Sequence, residues 1–370
     1  MQIFWDYNEQ DYLNVFKIVL AFYILFGTFI LKLLISQKDK FIRNDKGWLI
    51  TFVFFMILFV GTRNYDIGTD TSNYLNFYFI PVSQQVSSYF EVFTRLHSEF
   101  LFEVLMSFSF WHHNFTLFLL TVALITNVAL YLFVRKFTDF GEKGSSLILF
   151  LMLASGFSFI SIEINILKNG LSICFLLLSL YSILEKDTKK FIIYIIIALL
   201  FHRTAIIPLV LMLAVIFSDK ITIKYYIAFY VLAILLSLAG IGFHSLPFLS
   251  ELGIEDLQNL RFTAETTYKI GFRYDFVLYN TFFLALFLKF TNWNSKDLFL
   301  IKYYILSSTV FFFNFYIPYS DRFGIYSWII IPLLLFNTIN EAFPARKVFI
   351  STLVLIGFFI LNHVILFPSW

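Results

Sequence analysis

A single cysteine, Cys174, occurs in the 370 residues, and it lies inside an apolar run. That scarcity excludes a disulfide framework and a cysteine-ligated metal site. Charge is scarce as well, with Asp, Glu, Lys and Arg making up 14% of the chain. Hydrophobic residues reach 59% and the mean hydropathy is +0.81, so a soluble domain of this size would have too few polar groups to cover its surface. The apolar runs lack period-2 alternation, which leaves helices rather than barrel strands as the spanning element. No Walker loop, dinucleotide fingerprint, GxSxG or HExxH is present. His112 and His113 have no carboxylate or cysteine at ligand spacing, so neither a metal nor another cofactor is expected. The segment Met1–Asn14 carries Asp6, Glu9 and Asp11 instead of a basic n-region, and no small-residue cleavage site follows. The first helix is therefore expected to stay in the mature protein. There is no internal repeat, low-complexity tract or separate soluble domain, and no nucleic-acid partner is expected.

What is present is a relay of apolar stretches at roughly 15–35, 47–62, 115–134, 146–163, 166–184, 191–201, 204–217, 223–243, 275–290, 299–316, 323–339 and 348–366. Most are long enough to cross a hydrocarbon core of about 30 Å as helices. The expected fold is an all-α, polytopic integral membrane protein of about 11–12 spans, forming a single transmembrane domain over 1–370. Outer loops at about 63–114 and 244–274 would cap its site. The 52 Phe accompany abundant Ile, Tyr, Asn and Lys, and so are weak evidence for an aromatic binding site. Alternate connections hold 17 Lys and Arg on one side and eight on the other. The rule that basic loops stay inside then places both termini outside and the lysine loops in the cytoplasm.

Arginine has the opposite bias. Three of the 17 inner cations are Arg, against six of the eight outer ones: Arg63, Arg95, Arg203, Arg261, Arg273 and Arg322. A guanidinium offers a forked donor that fits phosphate, whereas Lys is a point charge. Outer arginines thus point to a phosphorylated ligand on that face. Four constellations carry this expectation. In Arg63-Asn-Tyr-Asp-Ile-Gly-Thr-Asp-Thr-Ser-Asn-Tyr74, Gly68 permits a turn, Asp66 and Asp70 offer acceptors or a base, and Arg63 offers a phosphate donor; alternatively, Asp70 caps a helix starting at Thr71. His202–Arg203 interrupts two short apolar halves within membrane depth, where charged groups are costly and usually functional. Tyr319-Ser-Asp-Arg322 follows Pro318, which ends the preceding helix. Lys168 occupies the outer mouth of a tight helical hairpin. A shorter segment, Glu99–Trp111, is too short and acidic to span and is expected to lie in the interface or re-enter. Arg95, Glu99 and Glu103 have the spacing of a salt-bridge stripe on one helical face.

The arginine with GTDTxxY after the second stretch, Glu99 opening an amphipathic segment, ILKNGLS, LLFHRTA and DRFxxY recur in this order in a known group. Over roughly 60–340 the chain resembles the EpsG-like/Wzy polymerases of bacterial O-antigen and exopolysaccharide. The family habit of an arginine in the hairpin is replaced here by Lys168. The resemblance implies a GT-C-like, lipid-linked glycosyltransferase architecture in the bacterial inner membrane, active on the periplasmic face and metal-independent. It implies transfer of a growing glycan from undecaprenyl diphosphate to the terminal sugar hydroxyl of a lipid-linked repeat unit. It also implies membrane lipid, a flippase and a chain-length regulator as partners. Arg63, Lys168, Arg203 and Arg322 are then expected at the diphosphate, with Arg273 as a further candidate. His202 or Asp70 is the expected base, and Glu99 a partner of sugar or arginine. A flippase or transporter of lipid-linked sugars, an O-antigen ligase and a membrane O-acyltransferase are the competing readings. Transporters usually carry charges accessible from both sides, whereas the functional-looking charges here share one side.

Overall fold

The computed structural model describes residues 8–85, 99–111, 114–245 and 270–367. Among the described residues every regular element is helical, in keeping with an all-α polytopic membrane protein. Each of the twelve apolar stretches forms helix, and among the described residues six helices are long and apolar enough to cross a membrane: Glu9–Leu33, Lys38–Gly61, Phe115–Phe137, Leu167–Leu184, Asp321–Ala342 and Pro344–Leu366. A bent pair makes up to seven. Against the expected 11–12 spans, six of the described helices meet that length and hydropathy, and the remaining apolar stretches form shorter or more polar helices. Helices of 14–17 residues, such as Thr188–Phe201, Ile223–Leu238 and Tyr274–Phe290, rise only about 21–26 Å at 1.5 Å per residue. The stretch at 146–163 breaks at Ser155–Gly156 into Ser146–Ala154 and Phe157–Ile164, which meet at 82°.

The chain divides into two compact units, 1–207 with 343–370, and 208–342. In the first unit, α1 (Glu9–Leu33) and α2 (Lys38–Gly61) are followed by a helical stretch over 69–85, α3. Then come α4 (Phe100–Trp111), α5 (Phe115–Phe137), α6 (Ser146–Ala154), α7 (Phe157–Ile164), α8 (Leu167–Leu184) and α9 (Thr188–Phe201). The apolar faces of α1 leave Ile18, Leu25 and Phe29 exposed, as a lipid-facing helix requires. At one end of α2, buried Asp45 accepts from Ser145 Oγ at 2.5 Å and from the Ser146 and Leu147 amides at 3.1 Å each, with Arg135 Nη1 3.5 Å away. It thereby satisfies the open amides that begin α6. At the opposite end of α2, Arg63 reaches the Ile164 carbonyl that ends α7. The bent pair thus starts beside one end of α2 and finishes beside the other, so it is a broken span and not a loop that returns to its own side.

The second unit runs through α10 (Ile206–Phe217), most of which it contains, α11 (Ile223–Leu238), α12 (Tyr274–Phe290), α13 (Ser295–Phe313), α14 (Asp321–Trp328) and α15 (Ile331–Ala342). Its interior is pinned by fully buried Asn280. This side chain donates to Ser308 Oγ at 3.1 Å and Ser327 Oγ at 3.3 Å, and accepts from Trp328 Nε1 at 3.0 Å. Buried Lys302 turns back to the carbonyls of Ser218 and Asp219 at 3.3 and 2.9 Å.

Candidate active site

Three residues far apart in sequence meet at the end of the first unit where α4 begins, α8 begins and α9 ends. Glu99 precedes α4 with φ 70, a left-handed conformation that a non-glycine residue adopts only when its surroundings hold it there. Its carbonyl accepts from the amides of Phe102 and Glu103 at 3.1 and 3.3 Å, and its side chain turns to two cations. Lys168 Nζ donates to Glu99 Oε2 at 2.6 Å, and His202 Nδ1 contacts Glu99 Oε1. All three side chains are mostly buried, with 10%, 17% and 19% exposure for Glu99, Lys168 and His202. Burial alone would push the Glu99 carboxyl up, but hydrogen bonds from His202 and Lys168, reinforced by the Lys168 charge, hold it down at about 2. The Lys168 ammonium also sits 5.0, 5.2 and 5.8 Å from the ring centres of Tyr78, Phe102 and Tyr74. That range is one in which an aromatic face attracts a cation. Beneath lies an apolar core of Tyr74, Phe79, Phe102, Met106, Phe115, Phe118 and their neighbours, which fixes α3, α4, α5, α8 and α9 against one another.

The local sequence explains why these elements meet. α9 stops at Phe201, His202 is extended (φ −156, ψ 125), and Arg203–Ala205 forms a tight turn, so the break expected at His202–Arg203 is present. Arg203 is exposed, and no acceptor among the described residues meets its guanidinium. The hairpin expected before Lys168 is also present, with only Asn165 and Ile166 between α7 and α8. Gly170 is needed there, because a Cβ would stand 2.3 Å from the Ile162 carbonyl oxygen.

Arg63 lies inside the protein, apart from the Glu99–Lys168–His202 contacts. It is fully buried and donates to the carbonyls of Val60, Ile67 and Ile164 at 2.7, 3.4 and 3.2 Å and to Thr71 Oγ1 at 2.9 Å. With its guanidinium committed to four protein acceptors, Arg63 ties the 63–71 turn to the hairpin that carries Lys168. Gly68 completes this tie with φ +89 and a would-be Cβ 2.5 Å from the Ile164 oxygen. The Thr69 amide donates to Asn165 Oδ1 at 2.9 Å. The short helix begins at Thr69, two residues earlier than the capping alternative required, and half-buried Asp70 lies in its first turn. The salt-bridge stripe also fails at Glu99, which stands outside the helix and pairs with Lys168 and His202 instead. Arg95, Arg261, His112 and His113 lie outside the described residues.

Arg273 and Arg322 belong to the second unit. The fork of Arg273 closes on Asp275 at 3.1 and 2.6 Å and lies over the Phe276 ring. Arg322 enters the first turn of α14 as expected, half-buried, with its guanidinium 4.9 Å from the Tyr319 ring centre. Sequence reasoning gave no role to Tyr74, quoted only as the end of GTDTxxY, or to Tyr78 and Phe102. The i, i+4 spacing of the two tyrosines was visible, but abundant aromatics concealed it.

Fold and site together define a polytopic helical membrane protein with a carboxylate–histidine–lysine centre at one end of a helical unit. Residues 46–369 match the sequence profile of the EpsG family, and the chain belongs to that family. No curated protein and no solved structure matches it. Family membership makes it a membrane protein of polysaccharide biosynthesis.

Proposed function

We propose that the protein is a polysaccharide polymerase of the bacterial inner membrane. It transfers a growing glycan from undecaprenyl diphosphate to the terminal sugar hydroxyl of a lipid-linked repeat unit on the periplasmic face. A flippase would supply those units and a chain-length regulator would limit the product. The observation that carries this reading is the contact between Glu99 and His202. An ionised carboxylate only accepts hydrogen bonds, so Nδ1 of His202 carries the hydrogen, and in the neutral ring Nε2 keeps its lone pair. A histidine oriented in this way is a general base for a hydroxyl.

In the proposed step the acceptor hydroxyl oxygen bonds to the anomeric carbon of the donor, and its proton passes to Nε2 of His202. The bond from the anomeric carbon to the diphosphate oxygen breaks, and undecaprenyl diphosphate leaves with the electron pair. Arg203, exposed beside His202, stabilises the charge that grows on this leaving group. Lys168 keeps Glu99 ionised and in place, and Arg63 positions the turn behind Lys168. These assignments give Arg63 and Lys168 supporting roles in place of phosphate contacts.

The test is the glycan profile of cells carrying His202→Ala or Arg203→Ala protein that inserts normally. A polymerase defect leaves single repeat units attached to their final acceptor. A ligase defect leaves none attached, and a flippase defect keeps the units off the outer leaflet. Polymer of normal length and amount in both variants would sink the assignment.

A further inference from the structure

Below the site, at the end of α7, lies a polar pair that the proposed chemistry does not use. Glu163 and Asn127 are 2% and 0% exposed. Asn127 Nδ2 donates to Glu163 Oε2 at 3.1 Å and to the Ala123 carbonyl at 3.0 Å. The second bond fixes the amide, because a flipped Asn127 would set its oxygen against that carbonyl. Two buried atoms are then left without a partner, Glu163 Oε1 and Asn127 Oδ1, and they belong to the two groups that are already joined. Buried acceptors left without a hydrogen are strongly unfavourable.

Four donor contacts of nearby Arg63 go to other acceptors, and no ion pair links it to Glu163. The other titratable groups that sense Glu163 are Tyr12 on α1, whose hydroxyl donates to the Phe59 carbonyl at 3.1 Å, and buried Cys174 on α8. None of them supplies a hydrogen to Oε1.

We propose that Glu163 is a proton-binding site: it holds a proton on Oε1 and shares it with Asn127 Oδ1, closing a two-bond ring between carboxylic acid and amide. One hydrogen satisfies both orphaned atoms. As a neutral group, Glu163 does not compete with Ile164 and Thr71 for the Arg63 guanidinium. Glu163 is therefore a positioning residue. It anchors the end of α7 to α5 and leaves Arg63 to hold the turn behind Lys168.

The discriminating variant is Glu163→Gln. A glutamine amide has the shape and hydrogen bonding of the protonated acid: its NH₂ donates to Asn127 Oδ1 and its oxygen accepts from Asn127 Nδ2. Infrared difference spectra of wild type against Glu163→Gln at neutral pH, in water and D₂O, should show a carboxylic-acid C=O band above amide I. That band should shift in D₂O and be lost in the variant. Glu163→Gln should melt close to wild type, whereas Glu163→Ala should melt several degrees lower. If the band that disappears is an ionised carboxylate band, or if Glu163→Gln is as unstable as Glu163→Ala, Glu163 is an anionic counter-charge to Arg63 and the proposal is wrong. Neither readout uses polymer synthesis, so this inference can fail while the polymerase reading stands, and the reverse. If both stand, Glu163→Gln should also retain polymer synthesis while Glu163→Ala loses it.

Discussion

At the scale of single residues, the account assigns proton transfer to His202 and orientation to Glu99. Losing a general base lowers rates by about 10²–10⁴-fold. His202→Ala should fall in that range in a purified assay. Glu99→Gln should give a smaller loss, because the amide can accept from Nδ1 but no longer demands that tautomer. Arg203→Lys keeps the charge without the fork and should lose less than Arg203→Ala. The depressed Glu99 carboxyl also makes a stability prediction. Its folded-state value of about 2 lies below the ordinary 4.5, so its contribution is complete above the ordinary value and disappears as pH falls toward 2. Wild type should therefore lose melting temperature across that acid window more steeply than Glu99→Gln. Parallel curves would contradict the Lys168–Glu99–His202 geometry.

At the scale of elements, two glycines and one arginine hold the site in place. Gly68→Ala must adopt a left-handed φ against the Ile164 oxygen, and Gly170→Ala pushes a methyl into the Ile162 carbonyl. Each should destabilise the protein by more than about 1 kcal/mol, read from thermal unfolding in detergent. Arg63→Lys replaces four directed bonds with one ammonium and should cost more than about 2 kcal/mol. Its activity loss should follow the loss of folded protein, with the KM of the folded fraction unchanged. A selective rise in KM would instead return Arg63 to the substrate. The sequence made several of these elements legible. The helix break at His202, the hairpin at Lys168 and the turn at Gly68 all follow from local punctuation. What Arg63 does was not legible, because a buried guanidinium satisfied by carbonyls and a guanidinium waiting for phosphate have the same local sequence. Glu99 was likewise read by helical spacing, and only its left-handed backbone takes it out of the stripe.

At the scale of the whole molecule, composition was enough for an all-helical membrane protein. The number of full-length spans was not, since hydropathy does not register an 82° bend at Ser155–Gly156 or helices that stop short. The sidedness read from the loops has a direct check. Cys174 is buried, so the chain has no accessible native thiol among the described residues. Single cysteines placed at Arg203 and at Lys143, which lie in outer and inner connections by the charge count, should react differently with an impermeant maleimide. The first should label on intact cells stripped of their outer barrier, and the second only after permeabilisation. Labelling of both from outside would overturn the orientation.

The most direct measurement is the reaction itself: purified protein incubated with lipid-linked repeat units, with products resolved by size. Wild type should produce a ladder spaced by one repeat unit and release undecaprenyl diphosphate, while folded His202→Ala should leave the starting units unjoined. A ladder of equal extent from His202→Ala would contradict a Glu99-oriented histidine as the base.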